Sequence, residues 1–251
     1  MPTLLLIRHG RTTANASGVL AGWTAGVGLD DVGRSQAEAL RLRLAALPLV
    51  LAVVSPLQRT QETASAVLSG RAVRTVQDAR FAECRYGDWE GQELKTLARD
   101  PLWKVVQQHP SGMRFPGGES LAEIQTRAVT AVREWDAVVA AEHGPDALWA
   151  AFSHGDVIKA VTADALGMHL DAFQRIVADP CSVTVLRYTP LRSFAVRTND
   201  VGGDLSGLVV AAKARRRRSG APGRAAGTAV SSDADLGGGA GAAPAASADR
   251  P

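Results

Sequence analysis

Three uninterrupted apolar runs are the feature that most limits what this chain can fold into. The segments TLLLIRH, LVLAVVS and ALWAAFSH stay apolar almost to their last residues, with no alternation of polar and apolar positions. A strand covered on one face alternates, whereas a strand of a parallel sheet is buried on both faces and is apolar throughout. The three runs therefore predict central strands of a sheet that other elements cover on both sides.

Helical segments separate these runs along the chain. In LDDVGRSQAEALRLRLAAL one helical face carries four apolar residues, Ala37, Leu40, Leu44 and Leu47. A second, longer amphipathic helix follows Ser120, which with Glu123 has the spacing of a capping box. In the segment SPLQRTQETASAVL, Pro56 suits a first helical turn and Ser55 suits its N-cap.

The order of these elements predicts the fold class. Strands alternate with helices, and the last two apolar segments, CSVTVLRYT and SFAVRTN, predict a hairpin around Pro190. This order is typical of an α/β domain that is doubly wound, with a mainly parallel sheet as the middle layer of a three-layer α/β/α sandwich. We expect one domain over residues 1–205.

Residues 82–118 interrupt this pattern and predict an insertion of loops and short helices lying over the sheet. We expect this insertion to serve as a substrate lid and to determine selectivity. Its aromatic residues either pack over an organic group of the substrate or pack only against the domain; they are Tyr86, Trp89, Trp103 and Phe115.

The C-terminal segment, residues 206–251, is rich in Ala, Gly, Pro and Ser and lacks apolar periodicity, which predicts disorder. Seven of the 28 basic residues lie beyond residue 210 against three acidic ones, so the remainder is close to neutral and its charge gives no reason to expect nucleic-acid binding. The Arg215–Arg218 run either binds a polyanion or, as we favour, is simply solvated.

Other features narrow the class of protein. Two cysteines, Cys84 and Cys181, are too few for a disulfide framework and lack zinc-ligand spacing, so we expect no metal and a reducing compartment. The first apolar run is too short for a signal peptide, and none of the runs is long enough to span a membrane. We therefore expect a cytoplasmic protein without a cofactor, acting on a small molecule, as a monomer or a homodimer.

Histidine and arginine residues follow the predicted central strands. His9 and His154 end two of them, and each is followed by a glycine that lets the backbone turn sharply. Arg8 precedes His9, and Arg59 lies just after the strand LVLAVVS. Since ligands bind at the carboxyl edge of such sheets, these four side chains predict an oxyanion pocket, for which arginine forks are well suited.

Six segments, in order over about residues 3–200, resemble the histidine phosphatase superfamily, which includes the cofactor-dependent phosphoglycerate mutases. They are RHGRTTAN, LDDVGRSQA, SPLQRTQETA, FAECRYGDWEG, FPGGES and FSHGDVIK. A lone RHG arises easily by chance, whereas six ordered segments do not. The resemblance implies a phosphoglycerate mutase-like fold and a metal-independent phosphomonoesterase that forms a phosphohistidine intermediate.

The same resemblance implies roles for particular residues. His9 is expected to be the nucleophile, while Arg8, Arg59 and His154 hold the phosphoryl oxygens. Asn15 is expected either to add a hydrogen bond to the same group or only to cap a turn.

The resemblance also places Glu83 as the general acid, which later activates the hydrolytic water as a carboxylate. Asp88, Glu90 and Glu119 are rival acids nearby. A raised pKa suits this role; burial favours it and the cationic pocket opposes it.

Two departures from the family pattern bear on the activity. Arg11 stands where many members have glutamate, and it either adds charge at the mouth of the pocket or is a solvated side chain. The basic residues of the insertion, Arg99, Lys104 and Arg114, do not form the mutase pattern, so we favour a phosphatase. The alternatives are a phosphoglycerate-type mutase and a catalytically silent protein that binds a phosphorylated ligand.

Overall fold

The computed structural model describes residues 1–203, so the predicted disorder over 206–251 and the Arg215–Arg218 run lie outside the described residues.

A six-stranded sheet forms the middle of the fold. The strand order is β3-β2-β4-β1-β5-β6, parallel through β1 and antiparallel from β1 to β6. The strands are β1 (Thr3–Arg8), β2 (Leu49–Val54), β3 (Arg74–Gln77), β4 (Leu148–Ser153), β5 (Val183–Tyr188) and β6 (Ser193–Asp200).

Helices connect the strands and cover both faces of the sheet, with short 3-10 turns between them. They are α1 (Thr13–Ser17), α2 (Asp31–Leu44), α3 (Gln58–Val67), α4 (Leu94–Leu97), α5 (Pro101–Gln108), α6 (Leu121–His143) and α7 (Gly155–Ala165). The capping box of Ser120 and Glu123 is present at the start of α6, as predicted. Within residues 1–203, none of the helices combines the length and apolarity that crossing a bilayer requires.

The central strands are buried on both faces of the sheet, because successive side chains pack into different helical layers. In β1, Leu4 and Leu6 join the hydrophobic cluster that contains α6, α7 and the insertion. Leu5 and Ile7 join a separate cluster with the apolar faces of α2 and α3. This division confirms the predicted three-layer α/β/α sandwich and explains why the central strands show no polar alternation.

Three local predictions about the helices were wrong. Pro56 lies before α3 rather than in its first turn, and the N-cap is Leu57, with no side-chain cap. The hydroxyl of Ser55 does not cap the helix; it is hydrogen-bonded to His154 and accepts from the backbone N–H of Leu57 at 3.4 Å. Leu47 lies beyond the end of α2, although it still packs against the cluster between the helix and the sheet.

The insertion packs onto the domain through its aromatic side chains. Tyr86, Trp89, Trp103 and Phe115 are all at most 5% exposed and belong to the larger hydrophobic cluster. The ring centroids of Tyr86 and Phe115 lie 4.9 Å apart, edge to face. These residues therefore pack against the domain, and their rings are not an exposed surface for a substrate.

Candidate active site

The parallel register brings the ends of β1 and β4 together. Arg8 pairs with Ser153, and the next residues, His9 and His154, place their ring centroids 5.2 Å apart. Arg59, in the first turn of α3, donates from Nε to His9 at 3.2 Å. All four predicted residues lie at the carboxyl edge of the sheet and are at most 3% exposed.

The hydrogen bonds of His9 define which ring nitrogen carries the proton and which carries the lone pair. Nδ1 lies 2.7 Å from the carbonyl oxygen of Gly10, and a carbonyl can only accept, so Nδ1 carries the proton. Nε2 accepts from Arg59 and therefore holds its lone pair in the ring plane, toward the arginine side of the site. The backbone thus orients His9 as a neutral imidazole whose lone pair is on Nε2.

Ser55 holds the second histidine. Its Oγ lies 2.7 Å from His154 Nε2, at the junction between β2 and α3. Within residues 1–203, the other ring nitrogen, Nδ1, is buried without a hydrogen-bond partner. Buried polar atoms are rarely left in this way, so Nδ1 is the atom of His154 that a ligand would engage.

Burial, together with nearby positive charge, lowers the pKa of both histidine rings. Burial, followed by the charges of Arg59 and Arg8, lowers the pKa of His9 well below its usual value. Burial and Arg59 likewise lower the pKa of His154. Carbonyl oxygens anchor the arginines, because Arg8 Nη1 donates to Ala178 at 2.7 Å and Arg59 Nη2 donates to the backbone of the loop before α2 at 2.8 Å. Both histidines therefore stay neutral while the guanidinium groups supply the charge.

Glu83 is a buried carboxyl group beside this cluster. Its side chain is 2% exposed, and Oε1 accepts from the backbone N–H of Cys84 at 3.1 Å. Burial raises its pKa to about 7, and the nearby Asp156 adds to the increase, while Arg59 opposes it. The structure thus decides the balance that the sequence leaves open, and burial outweighs the cationic pocket.

Asn15 serves as part of an N-terminal cap. Its Oδ1 accepts from the backbone N–H of Thr12 at 3.1 Å, and its own N–H donates to the Thr12 hydroxyl, which completes a capping box at α1. The cap uses the carbonyl oxygen of the side chain and leaves the Nδ2 donors out of these bonds. A contact from Nδ2 to a phosphoryl group stays a prediction.

Arg11 has a structural partner that the sequence did not reveal. Its Nε donates to Asp30 Oδ2 at 2.8 Å, and Asp30 is the N-cap of α2. The same loop approaches α2 so closely that a Cβ on Gly33 would lie 2.0 Å from the Arg11 carbonyl oxygen. The ion pair fastens the loop after His9 to α2, while a charge from Arg11 at the mouth of the pocket stays a prediction.

The rival acids have other partners or are exposed, and the other histidines are exposed to solvent. Asp88 is exposed, Glu90 accepts from the backbone N–H of Tyr86, and Glu119 forms an ion pair with Arg127. The remaining histidines have side chains that are 36% exposed or more; they are His109, His143 and His169. Among residues 1–203, no group of three or more His, Cys, Asp or Glu side chains is arranged to hold a metal ion.

Several residues that shape the site are not predicted by the sequence pattern. The sequence predicts a helix cap at Ser55 and a rival acid at Glu119, although both residues occur in the segments that resemble the family. Trp23 Nε1 donates to the Glu83 carbonyl oxygen at 2.7 Å. The Asp156 carboxylate accepts from a buried tyrosine hydroxyl at 2.8 Å. The position of Asp156 two residues after His154 was a usable signal, since it places a carboxylate at the same edge of the sheet.

Comparison with known proteins agrees with this fold and identifies the family. The model of the histidine phosphatase superfamily (branch 1) matches residues 4–201, so the chain belongs to this superfamily. It is similar to a glucosyl-3-phosphoglycerate phosphatase of Mycolicibacterium vanbaalenii, with 33% identity covering 67% of this chain and 76% of the relative. A probable phosphoglycerate mutase of Yersinia enterocolitica is 29% identical over 75% of this chain and 86% of its own length.

A solved structure gives the same result for the fold. The Bacillus stearothermophilus protein YhfR superposes with a TM-score of 0.73 at 30% identity. The superposition covers 80% of this chain and 98% of YhfR. The predicted phosphoglycerate mutase-like architecture is therefore confirmed.

Proposed function

We propose that this protein is a metal-independent phosphomonoesterase that hydrolyses a small phosphorylated metabolite through a phosphohistidine intermediate. The observation that carries the proposal is the arrangement around His9. Its Nε2 lone pair lies among two buried guanidinium groups and a second neutral histidine, with a buried carboxyl group close by. A binding protein needs the arginines, but it needs neither an oriented nucleophile nor an acid with a raised pKa.

The first step transfers the phosphoryl group to the enzyme. Nε2 of His9 attacks phosphorus, and the bond from phosphorus to the ester oxygen breaks. Arg59 moves its Nε donor from Nε2 to a phosphoryl oxygen, while Arg8 and His154 Nδ1 stabilise the remaining negative charge. Glu83, protonated below about pH 7, gives its proton to the departing alkoxide.

The second step returns the enzyme to its starting state. The Glu83 carboxylate takes a proton from water, whose oxygen attacks the phosphorus of the phosphohistidine. The bond from phosphorus to Nε2 breaks, and the imidazole leaves as the neutral tautomer that the Gly10 carbonyl oxygen stabilises. The products are an alcohol and inorganic phosphate, and Glu83 ends protonated again.

A mutase is the second candidate, because a relative named as a probable phosphoglycerate mutase is 29% identical. The deciding experiment screens sugar phosphates, phosphoglycerates and nucleotide monophosphates for phosphate release, with and without EDTA. It also follows 2-phosphoglycerate formation from 3-phosphoglycerate plus bisphosphate. We expect phosphate release that survives EDTA; isomerisation faster than release would establish the mutase instead.

The pH dependence of kcat/KM follows from the shifted pKa values of Glu83 and His9. Glu83 must be protonated, so activity is expected below its pKa of about 7 and lost as the pH rises through that value. His9 must be neutral, and its pKa lies well below the usual value, so activity persists into acid. We therefore expect an optimum on the acid side of neutrality. A profile that rises above pH 8 would contradict the assignment of Glu83.

Asp156→Asn is expected to move the descending limb of this profile to lower pH. The substitution removes the negative charge that adds to the raised pKa of Glu83, while an amide can still accept from Tyr86. The matched control is Asp136→Asn, since Asp136 is also buried but contacts Trp149 in α6's interface with the sheet. An unchanged limb in the first variant, or an equal shift in both, would contradict the predicted influence of Asp156.

A further inference from the structure

The ion pair between Arg127 of α6 and Glu119, just before that helix, contacts the backbone on both sides of Glu83. Arg127 and Glu119 bind each other through two bonds, Nε to Oε1 at 2.9 Å and Nη2 to Oε2 at 3.0 Å. Arg127 also donates to the carbonyl oxygens of Arg80, Ala82 and Glu83, at 2.7, 2.8 and 3.1 Å. These contacts occupy all five N–H donors of one guanidinium group.

Glu119 completes the contact on the other side of the acid. Its Oε2 accepts from the backbone N–H of Arg85 at 2.9 Å. Arg127 therefore contacts the chain before and at Glu83, and Glu119 contacts it two residues later. The pair is only about one-fifth exposed, which limits competition from water.

The segment around Glu83 depends on such contacts because it has no regular structure of its own. Residues 82–86 lie between two short 3-10 turns and belong to no strand or helix. Four consecutive carbonyl oxygens, from residue 80 to residue 83, accept from side chains: Arg127, Ser153 and Trp23 supply the donors. The position of the carboxyl group thus depends on the side chains that bind this backbone.

We propose that the Glu119–Arg127 pair is a positioning device for the general acid, holding the Glu83 carboxyl group at the ester oxygen without touching the substrate. This inference rests on the proposed phosphatase function. General acid catalysis requires the donor within hydrogen-bond reach of the leaving oxygen, and a displacement of about 1 Å can cost roughly 10²-fold in rate. The phosphate-binding arginines are held by other carbonyl oxygens, so the pair acts on proton transfer rather than on phosphate binding.

The test compares two esters with different leaving groups, because only a poor leaving group needs the proton that Glu83 donates. Values of kcat/KM are measured for an alkyl phosphate and for 4-nitrophenyl phosphate in the wild type, Arg127→Met and Arg127→Lys. The matched control is Arg80→Met: Arg80 ties the same segment to α6 through Glu134 and pairs with Asp78 within the segment, and its backbone carbonyl is retained. Unfolding midpoints and inhibition by inorganic phosphate are measured for every variant.

Arg127→Met is expected to lower kcat/KM for the alkyl phosphate about 10²-fold and for the nitrophenyl ester less than tenfold. Arg127→Lys keeps the charge but not the five directed donors, so an intermediate loss is expected. Inhibition by phosphate stays within about twofold. Should Arg127→Met fail to fold, Arg127→Lys carries the same comparison.

Equal losses on both esters, or the same selective loss in Arg80→Met, would overturn the positioning role. Failure of the proposed function looks different, because the wild type would then release phosphate from neither ester. The two hypotheses are therefore tested separately by one set of measurements.

Discussion

His9→Ala is expected to abolish phosphate release, with kcat falling about 10⁶-fold, the scale seen when an enzyme loses its covalent nucleophile. We do not expect the neighbouring His154 to replace it, because its Nε2 is hydrogen-bonded to Ser55 and its Nδ1 binds the phosphoryl group in the proposed mechanism. Rapid quenching in alkali, followed by mass spectrometry, should detect a phosphorylated His9 in the wild type and none in the variant.

Controls for this variant separate chemistry from folding. Arg8, Arg59 and His154 remain in place, so inorganic phosphate should still bind and raise the unfolding temperature. His143→Ala removes a partly exposed histidine at the end of α6 and should leave the rate unchanged. Undiminished phosphate release by His9→Ala would contradict both the nucleophile and the proposed mechanism.

Glu83→Gln is expected to lower kcat/KM for an alkyl phosphate by roughly 10² to 10⁴-fold, because the amide cannot donate the proton that the alkoxide needs. For 4-nitrophenyl phosphate the first step should be far less affected. Water activation is lost for both esters, so the phosphohistidine is expected to accumulate with the nitrophenyl ester. Burst kinetics and alkaline quenching measure this directly.

Asp88→Asn is the matched control, since Asp88 lies in the same insertion but is exposed. It should leave both substrates unaffected. If Glu83→Gln slowed both esters equally, with no phosphoenzyme accumulating, Glu83 would not be the proton donor. Loss of activity in Asp88→Asn alone would transfer the role to that residue.

The architecture was predictable because strands that are buried on both faces have apolar residues at nearly every position. Runs such as TLLLIR and LWAAFS are apolar on both sides of the strand, and the structure places them between two helical layers. The bounds of α3 were less predictable, since the Ser55 hydroxyl binds both His154 and the backbone N–H of Leu57, and the helix begins only after Leu57. The same hydroxyl thus serves a tertiary contact and a local turn, and α3 begins without a side-chain cap.

The insertion is a second region whose packing could not be predicted from local sequence. Its aromatic residues were compatible with a substrate surface or with the core, because an aromatic side chain in a loop favours either. Only the packed structure shows that Tyr86 and Phe115 are buried. The assignment of residues 82–118 as a lid stays a prediction.

The sequence alone determined the sheet, the placement of His9 and His154 at its carboxyl edge, and the arginines expected beside them, because strand ends and motif order are local properties of the chain. The tertiary structure decided which nitrogen of His9 holds the lone pair, why the pKa of Glu83 is raised, and that Arg11 pairs with Asp30. Burial depth and donor geometry depend on residues far apart in sequence, as with Ser55 and His154. Local patterns carry no record of such contacts.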